Sequence, residues 1–161
     1  MGGHCIPIYP RFYLWNDPDA TVVRAAREAN AAMPDYTVGL LEGAHGDLCG
    51  QRVVILGASY RGGVKETAFS GAFAVAESLN RRGATVLVQD PLYTDAELER
   101  LGFAPYHFGE QADAAVVQAD HADYRTLGAE QLPGIRTVVD GRRSLDASRW
   151  AGVTLRLVGA V

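Results

Sequence analysis

Lysine is nearly missing from this 161-residue chain: one residue, Lys65, stands against fourteen arginines. Cysteine occurs only at Cys5 and Cys49. Two thiols are too few for a disulfide framework and fit a reducing, cytoplasmic compartment. No apolar run approaches the roughly 18–20 residues that cross a bilayer, so no membrane partner is expected. No basic stretch followed by an apolar core opens the chain, so no signal peptide is expected. Lys/Arg-rich tracts are absent as well. With Lys+Arg 15 and Asp+Glu 19, the formal net charge is -4. That excludes a general nucleic-acid-coating role, which needs a cationic footprint for phosphates. His45, His107 and His121 show no metal-ligand spacing with the cysteines, and no zinc site is expected. The arginine excess has two readings, a GC-rich coding sequence or selection for forked phosphate contacts. Only individual arginines can separate them.

What remains is ordinary globular material. Hydrophobic residues make up 48% and charged residues 21%, enough apolar content for one domain with a real core. The chain divides near residue 50. Residues 1–17, with Gly2, Gly3, Pro7 and Pro10, are expected to be irregular. The aromatic and apolar run from Ile6 to Trp15 implies that this segment packs against something. Asp17-Pro18-Asp19 reads as a helix start. A helix follows from Thr21, interrupted at Pro34, either kinked or split in two. Beyond residue 50, strands and helices alternate. Strands are expected at 52–57, 84–89, 114–118, 135–140 and 154–158, with a poor candidate at 104–108. Helices are expected at 67–82 and 94–101, the second opening with a Thr94/Glu97 capping-box spacing. This alternation predicts an α/β fold: a Rossmann-like, doubly wound parallel sheet preceded by a long or kinked connecting helix. The expected division is 1–49 for the loop and connecting helix, and 50–161 for the Rossmann-like domain.

Three places could carry chemistry. The turn Leu56-Gly57-Ala58-Ser59-Tyr60-Arg61-Gly62-Gly63 follows a strand and precedes a helix. Free backbone N–H groups at such a turn bind phosphate, and Arg61 adds a forked donor. The G-x-G-x-x-G fingerprint is not met, because Ser59 replaces the middle glycine. Asp90 lies too far on to be the usual ribose carboxylate. The turn therefore reads as a nucleotide site other than NAD, or as a plain structural turn. Cys5, flanked by Gly2-Gly3-His4 and Ile6-Pro7, is either a small buried thiol or a nucleophile that adds to an aldehyde. Cys49 reads as structural. Arg142 and Arg143 follow a strand end, where ligands gather in this fold class, and are either ligand contacts or a solvated pair.

Several of these motifs together carry a resemblance. Gly2-Gly3-His4-Cys5-Ile6-Pro7 resembles the active-site cysteine motif of the UDP-glucose/GDP-mannose (nucleotide-sugar 6-) dehydrogenases. Ala25-Ala26-Arg27-Glu28-Ala29-Asn30 with Met33-Pro34 resembles their central connecting helix. Leu56-Gly57-Ala58-Ser59-Tyr60-Arg61 resembles the L-G-x-x-Y-K turn that opens their C-terminal domain. Asp90-Pro91, Ala119-Asp120-His121 and Val139-Asp140-Gly141-Arg142 match later landmarks, so the resemblance spans nearly the whole chain. The His-Cys-Ile-Pro form is most similar to the UDP-N-acetylhexosamine dehydrogenases.

The resemblance implies the C-terminal, UDP-binding part of an oxidoreductase that works in polysaccharide precursor biosynthesis. Such enzymes oxidise the sugar's C6 alcohol to a carboxylate with two NAD, through a cysteine thiohemiacetal and thioester. It implies that Cys5 is the catalytic nucleophile and that Gly2 lies against the UDP-sugar. His4 and Cys5 would stand near the nicotinamide. Tyr60, Arg61 (in place of the usual Lys) and Arg142 would bind the substrate nucleotide. The implied partners are UDP or a UDP-sugar, a missing N-terminal NAD-binding domain without which this chain is inactive, and a second copy in a homodimer. Three departures are visible. Tyr9 stands where the family has an Asp four residues after the cysteine. Ala68 replaces the Arg that meets NAD, with Lys65 the nearest cation to take its place. Arg61 replaces Lys. These departures also fit a stand-alone nucleotide-binding or assembly module that has lost the redox chemistry.

Overall fold

The computed structural model describes residues 2–159. The chain opens with a helix, α1 (Tyr9–Asn16), where sequence alone predicts irregular structure. Pro10 sits in its first turn, where a missing N–H costs nothing and the fixed φ favours the helix. A single long helix follows, α2 (Thr21–His45), with Pro34 inside it. The helix is not split at the proline. Thr37 Oγ1 donates to the Met33 carbonyl at 2.9 Å, a local bond one turn past the break. Asp17 is not the cap; the helix starts after Ala20 without a side-chain cap.

The rest of the chain forms strands β1 (Arg52–Leu56), β2 (Thr85–Gln89), β3 (Ala104–Pro105), β4 (Ala114–Val117), β5 (Thr137–Asp140) and β6 (Thr154–Leu157). They make one parallel sheet in the order β3-β2-β1-β4-β5-β6. This is the doubly wound order, with its switch point between β1 and β4. Helix α3 (Gly71–Arg81) connects β1 to β2, and α4 (Asp95–Arg100) connects β2 to β3. The expected helix at 67–82 begins later, because Ser70 caps it by accepting from the Ala72 N–H at 3.2 Å. Before the cap, Phe69 takes a positive φ of 52° and turns the chain out of helix. Phe69 and Phe73 are exposed, and α3 instead buries Ala72, Val75, Ala76 and Leu79. Between β4 and β5, and between β5 and β6, the described crossovers contain only short 3-10 turns.

Period-2 alternation sends successive strand residues to opposite faces. Val53, Ile55, Val88, Ala114, Val116 and Val139 pack with Val38 and Leu41 of α2 and with the buried stripe of α3. Val54, Leu56, Leu87, Ala115, Val117 and Val138 pack with Tyr106, Tyr124, Leu132 and Trp150 from turns and loops. The central strands are apolar throughout because both faces are covered. The second half of α2 thus belongs to the core of the sheet domain. It is stitched to α3 by Asp35, which accepts from Ser78 and from Arg81 Nη2 at 2.6 Å, and by Arg82 Nε to Glu42 at 3.0 Å. The carboxyl of Asp35 is held below its ordinary range, chiefly by the Ser78 hydroxyl and then the Arg81 cation.

Candidate functional site

Parallel register places the carboxyl ends of four strands level. Leu56 of β1 stands opposite Gln89 of β2 and Val117 of β4, and Val117 stands opposite Asp140 of β5. The residues that follow them form one rim: 57–63, 90–92, 118–121 and 141–145. The Gly-rich turn approaches its neighbours closely there. A Cβ on Gly57, whose φ is 101°, would lie 2.4 Å from the Ala119 Cβ, and one on Gly62 would lie 2.2 Å from the Asp120 carbonyl oxygen.

Apart from that of Arg61, the backbone donors of this turn are not free for phosphate, contrary to the expectation from sequence. Gly57 N–H donates to the Gln89 carbonyl and Tyr60 N–H to the Glu66 carbonyl. Ala58 and Ser59 N–H donate to Asp90 Oδ2 at 2.8 and 3.2 Å. Gly62 N–H donates to Asp120 Oδ1 at 3.0 Å, and Gly63 N–H to His121 Nδ1 at 3.3 Å. Carboxylates of the protein sit where a dinucleotide fold keeps room for a pyrophosphate. Asp90 and His121 therefore have structural partners that sequence reasoning did not assign. Part of the signal was visible, since Asp90 follows directly on β2, whereas His121 lies four residues past the end of β4.

The electrostatics follow from these contacts. Burial works against the charged form of Asp90, but the His121 hydrogen bond and the Leu92 and Ser59 amides outweigh it and leave its carboxyl below the usual range. Asp120 is lowered to about 2, first by the Gly62 amide and then, against some burial, by Arg142. Arg142 Nη2 donates to the same Asp120 Oδ1 at 2.9 Å. The Arg142 N–H is held by Asp140, whose other oxygen takes the amides of Ser144 and Leu145. Arg143 lies at a positive φ of 54° and reaches the Gly159 carbonyl.

The N-terminal segment docks on this rim. A Cβ on Gly2 would lie 2.6 Å from the Phe69 carbonyl oxygen and 2.8 Å from the Tyr60 Cβ, and one on Gly3 would lie 3.3 Å from the Tyr60 ring. Gly2 is therefore required by close approach, and Gly3 by its φ of 77°. The His4 ring meets Phe69 edge-on at 5.2 Å. Cys5 is exposed, which removes the buried-thiol reading; Cys49 is exposed too, beside Gly83. Arg61 lies over the Tyr60 ring at 5.8 Å. A cavity of about 740 Å³ opens between Gly2, α2, the start of α3, the end of β4 and Gly141-Arg142. Its walls mix apolar surface (Met33, Val75, Val116, Val158) with Asn30, Gln118 and one charged residue, Arg142. Tyr60 and Arg61 are outside its wall, and Tyr60 adjoins it at Gly2. Lys65 is the cation nearest in sequence to Ala68. It is bound to Glu97 at 2.6 Å and lies over the Tyr93 ring.

The model of the UDP binding domain of the UDP-glucose/GDP-mannose dehydrogenase family matches residues 54–147, from inside β1 to the turn after β5. The chain belongs to that family. A UDP-N-acetyl-D-mannosamine dehydrogenase of Methanococcus maripaludis is 33% identical over 171 residues, covering 99% of this chain and 39% of the relative. The solved UDP-D-ManNAc dehydrogenase of Pyrococcus horikoshii superposes with a TM-score of 0.77 at 26% identity, over 99% of this chain and 38% of its own. A UDP-glucose dehydrogenase from Pyrobaculum islandicum gives 0.77 at 25% identity, over 94% and 38%. The chain thus spans about two fifths of the length of the relatives it matches. Among the described residues, no helix is long and apolar enough to cross a membrane.

Proposed function

We propose that this chain is the nucleotide-sugar-binding part of an NAD-dependent UDP-sugar 6-dehydrogenase, acting on an N-acetylhexosamine in the cytoplasm as a homodimer. The observation that carries this reading is the seating of Gly2-Gly3 on Tyr60 and Phe69. That contact brings the cysteine segment to the rim of the UDP binding domain, beside a cavity that ends on Arg142. Residues 1–49 supply the cysteine loop and connecting helix, and 50–161 the nucleotide site. Tyr60 and Arg61 meet the nucleotide from one side and Arg142 from the other. Arg142 offers forked N–H donors to phosphate oxygens, in exchange for its bond to Asp120. Gly2 leaves room for the sugar.

Cys5 then faces a C6 aldehyde. Its thiolate adds to the carbonyl carbon, a C–S bond forms, and the carbonyl π pair moves to oxygen, which takes up a proton to give a thiohemiacetal. No carboxylate stands four residues on. Tyr9 occupies that place on α1 and stacks on Phe12.

NAD itself does not fit the described residues. The Gly-rich turn lacks the middle glycine, and its amides are engaged by Asp90, Asp120 and His121. Ala68 brings no charge. NAD binding belongs to a further domain of a longer protein, with His4 and Cys5 turned toward it, and the chain alone is inactive. The uncharged Ala68 and the occupied Lys65 also favour a second reading, a nucleotide-binding or assembly module without redox chemistry.

Isothermal titration tests the first step. UDP is expected to bind this chain, NAD not to bind, and Arg61→Ala to weaken UDP by roughly 1.5–3 kcal/mol, the range for a charge-assisted contact. Absence of UDP binding, or equal binding by Arg61→Ala, overturns the assigned site. Restoring C6 oxidation by joining the chain to an NAD domain, with loss on Cys5→Ser, separates the enzyme from the module.

A further inference from the structure

The rim holds a buried pair that the chemistry above does not use. Asp90 is 3% exposed and His121 1%. His121 Nδ1 accepts from the Gly63 N–H, so the ring proton lies on Nε2, which donates to Asp90 Oδ2 at 3.2 Å. The same Oδ2 accepts from Ala58 and Ser59, while Oδ1 takes the Leu92 N–H at 2.9 Å. A continuous chain of hydrogen bonds therefore runs from 58–59, through the carboxylate and the imidazole, to 63. Tyr60 and Arg61 lie between its two ends. The ring is held edge-on to Tyr124 at 5.4 Å, and the Tyr124 hydroxyl donates to the Gln89 carbonyl, one residue before Asp90.

We propose that Asp90 and His121 are positioning residues for nucleotide recognition, clamping the turn at both ends of the Tyr60–Arg61 pair. The proposal rests on the reading that these two side chains meet the nucleotide. Its physical content is preorganisation. A turn with a glycine, Gly62, between its pinned ends would otherwise lose backbone entropy on binding. Here an internal carboxylate has already gathered the amides that a pyrophosphate gathers in a dinucleotide site. Affinity must then come from the side chains whose backbone the clamp fixes.

The test uses His121→Phe, which keeps the aromatic packing and removes both hydrogen bonds, and His121→Gln, whose amide can donate to Asp90 and accept from Gly63. Leu132→Ala, a core change that touches none of these bonds, is the control for lost stability. UDP affinity is expected to fall at least about tenfold in His121→Phe, to recover largely in His121→Gln, and to be unchanged in Leu132→Ala. Hydrogen exchange at Ser59 and Gly63 should speed up in His121→Phe alone. Nitrogen NMR of the wild type should place the imidazole proton on Nε2. A proton on Nδ1, or UDP binding as tight in His121→Phe as in the wild type, overturns the clamp while the nucleotide reading stands. A wild type that shows the expected tautomer and exchange but binds no UDP overturns the nucleotide reading, and the recognition role with it. If His121→Phe does not fold, Asp90→Asn carries the same expectations.

Discussion

Gly57 combines close approach with a left-handed backbone. Its φ of 101° and the 2.4 Å gap to the Ala119 Cβ leave no room for a side chain on either count. Gly57→Ala should cost about 3 kcal/mol, combining strain in the left-handed region with overpacking. A urea midpoint unchanged from wild type would contradict the close approach of the β1 and β4 ends. Asp120 makes a different claim. Its carboxyl falls from 3.8 to about 2 on folding, so the folded state prefers the ionised form. The stabilisation is complete above about pH 4 and is lost as pH falls toward 2. Asp90, lowered as well, shares that direction. With the Asp120 side chain 46% exposed, solvent screens its share and the effect is small. Stability should decline below pH 4 in the wild type and decline less steeply in Asp120→Asn. Parallel pH profiles would show that the Gly62 and Arg142 contacts do not hold the charge.

Helix α2 joins two environments in one element. Leu41 is fully buried against the sheet, while Val22 is 80% exposed. Leu41→Ala should cost about 2–5 kcal/mol, and Val22→Ala, in protein dilute enough to be monomeric, less than about 0.5 kcal/mol. Equal losses would mean that the first half of α2 is also core. This gradient was half legible in sequence. Val22, Ala25, Ala29 and Met33 repeat at helical spacing, but periodicity says only that a face exists, not what covers it. The strands were legible for a stronger reason: a short, β-branched apolar run such as Val53-Val54-Ile55-Leu56, flanked by Gly50 and Gly57, fits a strand buried on both sides. The turn at 57–63 was legible as a turn, open to reading as a nucleotide site or as a plain structural turn. Its donors are taken by Asp90, Asp120 and His121, which lie some thirty to sixty residues away in sequence. A local pattern cannot report a partner brought in by the sheet register. Helix α1 failed for the opposite reason. Pro10 was read as a breaker, although in a first turn it is a starter.

Across the whole molecule, apolar surface is distributed unevenly. The sheet domain encloses most of its hydrophobic side chains, but α1 buries none of its own. Phe12 is 68% and Trp15 90% exposed, and Val22 follows at the start of α2. Single exposed apolar residues are common, but an aromatic helix with no buried residue beside an exposed helix start marks a face that another surface covers. A second copy is the simplest cover, since a two-fold pairing lets the same patch bury itself in both chains. Sedimentation at micromolar concentration should therefore show a dimer. Trp15→Asp with Val22→Asp places a carboxylate on each helix of that face, so burying it would cost two desolvated charges. The double variant should sediment as a monomer and still bind UDP as the wild type does, because neither residue lines the cavity or the 57–63 turn. If the wild type sediments only as a monomer, self-association is refuted, and the aromatic face is left to the part of a longer protein that its relatives carry beyond these two fifths.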